Sequence, residues 1–152
     1  MSNTLPYLGR RSNDEQVDRL EDANFALGYG GQPASRDGVL AEAYFPSDED
    51  ISDILVYKLQ FTPEYRDQMY NTFLHELGHV LGLRHEHAMW RNIYFEGGAV
   101  TIGEANEKSV MAYDVEPPMI RDSDKEGVKK FYGLRNGQII GNLKVRLFTP
   151  NN

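Results

Sequence analysis

All four histidines of this 152-residue chain, His75, His79, His85 and His87, fall in one segment, HELGHVLGLRHEH. On a helix His75 and His79 stand four residues apart, so their rings leave one face a turn apart, the reach two nitrogens need to share a zinc ion at ~2.0–2.1 Å. A continued helix would carry His85 about 600° beyond His79, roughly 120° off that face, at about 100° per residue. Gly82 resolves the conflict, because a glycine can adopt positive φ, turn the chain back and bring His85 to the same metal. Glu76 follows the first histidine directly, which sets its carboxylate beside the metal and not on it. Three neutral imidazoles leave zinc dipositive with a fourth position for a water whose pKa falls to ~7, and a neighbouring carboxylate takes its proton as the hydroxide attacks a carbonyl. These residue types at this spacing specify metal-assisted hydrolysis. His87, two residues past His85 on a chain that has just turned, is expected to point away from the metal and toward the surface.

His75, Glu76, His79, Gly82 and His85 match every fixed position of HExxHxxGxxH, and SVMAY (Ser109 to Tyr113) follows downstream. On these residues the chain resembles the metzincin zinc peptidases, whose histidine motif precedes a methionine-containing turn. Glu86 after the third histidine and Tyr113 two residues past Met111 resemble astacins, and serralysins share the tyrosine. Astacin cysteines are lacking, AMWRN after HEH departs from the astacin continuation, and VLAEAYFP looks more like the matrixin edge strand. The resemblance covers roughly residues 38 to 134. It implies a zinc-dependent endopeptidase in which His75, His79 and His85 bind Zn2+, Glu76 is general base and then general acid, and Tyr113 stabilises the oxyanion. Met111 would pack beneath the metal. Val39 to Phe45 would be the edge strand that pairs with an extended peptide or protein substrate, and Val115 to Met119 would wall the pocket beyond the cleaved bond. The family also implies a secreted protein, although MSNTLPYLGRR lacks the apolar stretch of a secretory signal. Two competing readings are a zinc-loaded peptide-binding module without turnover, against which Glu76 speaks, and a zinc hydrolase of small amides.

Composition narrows the partners. Sixteen Lys and Arg against 23 Asp and Glu give a net charge of −7, which argues against nucleic acid, whose binding draws on neutralised phosphates. Apolar runs extend over only a few residues, far short of a membrane span. Without cysteine there is no disulfide, no thiolate site and no cysteine nucleophile. Calcium is a second candidate ion on the acidic run Asp48, Glu49, Asp50 and Asp53, but EF-hand spacing is missing and a solvated loop fits better.

The elements that must position these residues read as one α+β domain over 1–152, zincin-like by resemblance. Its upper part, about 1–82, would hold a twisted mixed sheet and the long active-site helix; its lower part, about 83–152, would be irregular and end in a helix. Ser12 and Glu15 suggest a capping box for a helix over 13–24. Gly28 to Gly38 reads as loop, Val39 to Phe45 as a strand stopped by Pro46, and Ile54 to Phe61 as a second strand. Thr62 and Pro63 form a cap and first-turn pair, and Tyr65, Met69, Phe73, Leu77 and Leu81 recur at helical spacing, so a helix is expected over 63–81. Ser123 and Glu126 suggest a capping box for a short helix ending at Gly133, and Ile139 to Phe148 a strand or extended tail.

Overall fold

The computed structural model describes residues 25–32, 38–45, 52–88, 100–112, 118–141 and 143–146. Three strands form a mixed sheet: β1 (Phe25–Gly31), β2 (Ala41–Ala43) and β3 (Ser52–Tyr57), in the order β1-β3-β2. β1 runs parallel to β3 and β2 antiparallel to it, so β3 is central. Helix α1 (Met69–Val80) packs on β2 and β3. Helix α2 (Asp122–Tyr132) follows, then a small hairpin of β4 (Ile139–Ile140) and β5 (Leu143–Lys144). The fold is α+β, with a mixed sheet and two helices among the described residues, and no described helix is long and apolar enough to cross a membrane.

The chain divides into two compact units, Met1–Gly82 with Pro150–Asn152, and Leu83–Thr149. In the first unit the central strand supplies the core: Ile54 and Val56 are buried, and so is Tyr57 at its end. In the second the core is the turn Ser109–Ala112, every residue of which is buried, together with Ala88. Asp124 of α2 ties this turn to the helix start, since one carboxylate oxygen accepts both the Val110 N–H at 3.2 Å and the Arg121 N–H at 2.6 Å.

Several elements differ from the sequence-based expectations. The stretch from Gly28 is not loop: FALGYGG forms β1. Its glycines serve packing, because a Cβ on Gly30 would lie 2.5 Å from the Tyr57 ring and one on Gly28 would lie 3.2 Å from Leu55. The second strand ends at Tyr57, and Lys58–Phe61 tightens into a 3-10 turn. α1 starts at Met69, six residues later than Pro63 suggested, after turns at 63–65 and a 3-10 turn at Arg66–Gln68. Two side chains claim the backbone there: Thr62 Oγ1 donates to the Leu59 carbonyl, and the fully buried Gln60 donates to the Tyr65 carbonyl at 2.6 Å. That carbonyl also accepts the Gln68 N–H at 3.0 Å, which closes a 3-10 turn in place of an α-helical one. For α2 the capping residue is Arg121 and the reciprocal acid Asp124, while Ser123 accepts instead from Asn106. The tail from Ile139 folds back on itself at Gly141, φ +57°. Residues 13–24, most of the acidic run, Tyr113 and Val115 to Pro117 lie outside the described residues.

Candidate metal centre

The eleven-residue stretch from His75 to His85 converges as its spacing requires. α1 carries His75 and His79 on one face, their ring centroids 4.9 Å apart and edge-to-face. At the helix end Leu81 N–H donates to the Leu77 carbonyl and Gly82 N–H to the His79 carbonyl at 2.8 Å, closing the last turn. Gly82 itself has φ +87°, in the left-handed region that side chains other than glycine's disfavour. Past this reversal, one ring nitrogen from each of His75, His79 and His85 lies within 4.8 Å of the others. Three histidines are thus close enough to bind one metal ion.

This donor set fits a metal. All three ligands are imidazoles, which suit zinc and neighbouring transition metals, and tetrahedral bonds of ~2.0–2.1 Å set nitrogens about 3.3 Å apart, a small side-chain adjustment from the observed spread. His75 and His79 are buried and His85 is half-buried, so two ligands are shielded from water and the third borders it. Phe45, just beyond β2, packs edge-on against the His79 ring at 5.3 Å and limits its rotation.

Glu76 is also buried, with its carboxyl pushed up to about 7 by desolvation first and by the negative charge of Glu42 second; the Ala43 N–H against it acts the other way. That N–H belongs to the side of β2 that faces away from β3. The Tyr57 N–H donates to the Leu40 carbonyl and the Tyr44 N–H to the Asp53 carbonyl, so residues 40, 42 and 44 turn their backbone toward β3. Ala41 and Ala43 turn theirs away from it. β2 has no second strand partner among the described residues, which puts the expected strand Val39 to Phe45 at an edge, with its regular core at Ala41–Ala43.

His87 departs from expectation. It is buried rather than on the surface, and its ring stacks on His85 at 5.5 Å with only 8° between planes. The His85–Ala88 turn, closed by the Ala88 N–H on the His85 carbonyl, folds it back over the third histidine. Glu86 holds the same turn from its other side: its N–H donates to the Met111 carbonyl at 3.0 Å, and its carboxylate accepts the Asn106 N–H at 2.6 Å. Met111 is buried in the Ser109–Ala112 turn, whose Ser109 hydroxyl accepts the Met111 N–H. Sequence reasoning missed Glu42, Asn106 and Asp124, for each is an ordinary polar residue until the fold sets it beside the site or the turn.

The fold and the cluster define an α+β protein with a three-histidine site able to hold a metal ion. In comparison with known proteins, no family model, no curated protein and no solved structure matches the chain.

Proposed function

We propose that the protein is a zinc-dependent endopeptidase of the metzincin type, nearest the astacins and serralysins, acting on extended polypeptides. The observation that carries this reading is the convergence of three imidazoles, the first of them followed directly in the chain by a buried carboxyl, Glu76, that lies against the outward N–H of an edge strand. His75, His79 and His85 would hold the zinc. When bound, zinc supplies a Lewis acid that lowers the pKa of water to near neutrality and polarises a peptide carbonyl. A dication close by favours the ionised form of Glu76, readying it to accept a proton. Glu76 then takes the proton of the attacking water and delivers it to the leaving nitrogen, so that one residue is base and acid in turn. Tyr113 is assigned the oxyanion by resemblance, as a donor to the oxygen that becomes negative. The outward N–H and carbonyl of Ala41 and the carbonyl of Ala43 align the peptide, because main-chain hydrogen bonds capture an extended chain whatever its side chains.

The test is fragmentation of an unstructured protein, read by mass spectrometry. Zinc-loaded protein should cut it, a chelator should stop the cutting and added zinc restore it. Glu76→Gln should keep its metal and lose about 10²–10⁴ in rate, the usual loss with a missing acid–base group. Near-normal turnover in that variant would refute the assigned mechanism.

A further inference from the structure

We propose that Glu42 selects a basic side chain, Lys or Arg, in the extended peptide that pairs with β2; this rests on the reading that the β2 edge receives substrate. Glu42 lies between the two residues, Ala41 and Ala43, whose backbone groups point away from β3. A chain added along that edge pairs with Ala41 through both backbone groups and with Ala43 through its carbonyl, the Ala43 N–H being held by Glu76. The incoming residue between those pairs then sits directly opposite Glu42, with its side chain on the same face of the sheet and the two Cβ atoms about 4.5–5.5 Å apart. At that distance opposite charges attract and like charges repel.

The carboxylate is held for this role. The Tyr57 hydroxyl donates to Glu42 Oε1 at 2.5 Å, and Tyr57 is buried at the end of the central strand, against Gly30. Glu42 is itself half-buried, which weakens screening by solvent and salt relative to a free surface charge. It also stands one residue from Ala43, whose N–H meets Glu76, so the selected position lies close to the bond that would be cut. The net charge of −7 adds a general attraction for basic chains. The occupant that fits is therefore an extended peptide carrying a cation at one fixed place.

The experiment measures binding of short labelled peptides to zinc-loaded Glu76→Gln protein by fluorescence anisotropy. The peptides are uncharged apart from a single Lys, Ala or Glu walked through each position, and the same set is offered to the wild-type protein for cleavage. At one position Lys should bind about two- to fivefold tighter than Ala and Glu correspondingly weaker, with the contrast shrinking as salt is raised. Glu42→Gln in the same background should abolish the contrast and Glu42→Lys reverse it. Tyr57→Phe, which frees the carboxylate, should blunt it without reversal. A charge contrast that survives Glu42→Gln unchanged overturns the proposal, and so does a complete lack of peptide binding. Cleavage without any charge contrast would sink the role of Glu42 and leave the peptidase reading standing. Binding with the contrast but no wild-type cleavage would do the opposite.

Discussion

Glu76 is a carboxyl group set where a charge is costly, and without metal that cost depends on pH. Burial and the charge of Glu42 raise it to about 7, so the folded metal-free protein holds this proton more tightly than the unfolded chain. The stability linked to that proton is fully present below the ordinary glutamate pKa of ~4.3 and is lost as pH rises through about 7. Glu76→Gln is neutral throughout and escapes the loss. In metal-free protein the variant should therefore match the wild type near pH 4 and exceed it at pH 8, by up to about 3 kcal/mol. Urea melts at the two pH values read this directly; an equal difference at both would mean that Glu76 is not desolvated as described. Bound zinc should reduce the gap, since a dication makes the carboxylate the favoured form. The convergence of His75, His79 and His85 was legible from spacing alone, because ligation demands particular side chains at particular intervals. His87 was not, since its burial follows from a turn of the backbone after His85 that residue types do not announce.

At the scale of elements, two glycines bear on the site for different reasons. Gly82 must be left-handed for the chain to leave α1 and return His85, and any other residue there is strained by about 1–2 kcal/mol. Gly82→Ala should lower the melting temperature and also weaken zinc binding, measurable by competition with a chromophoric chelator. Unchanged metal affinity would show that His85 reaches the cluster without this turn. Gly30 instead makes room: an added Cβ would stand 2.5 Å from the Tyr57 ring. Gly30→Ala should destabilise the first unit by about 1–3 kcal/mol, the usual cost of overpacking. It should also disturb the Tyr57 hydroxyl that anchors Glu42. A melting temperature equal to the wild type's would contradict the close packing of β1 on β3. The same glycines hid β1 in the sequence, for glycine is ordinarily a sign of loop, and nothing local tells that a neighbouring tyrosine needs the space. The late start of α1 was hidden likewise. Thr62 and Pro63 form a sound local signal, overridden where the Tyr65 carbonyl, bonded by the buried Gln60, closes a 3-10 turn on the Gln68 N–H.

Across the whole molecule, legibility followed sequence distance. The mixed sheet, the helix that carries His75 and His79 and the three-histidine cluster were anticipated, the last because its residues lie on one short stretch of chain. Pairings that join distant segments, such as Asp124 with Val110 or Glu86 with Asn106, have no periodic signature and emerged only in the fold. The central claim is that this one cluster, loaded with zinc, cuts peptide bonds. Its most direct test is a titration: metal-free protein receives increasing zinc, occupancy is read by elemental analysis, and new termini in an unfolded protein substrate are counted by mass spectrometry at each step. The account predicts that cleavage rises in proportion to bound zinc and levels off at about one ion per chain, the capacity of a single tetrahedral site. Full occupancy at the histidines with an uncut substrate would contradict it.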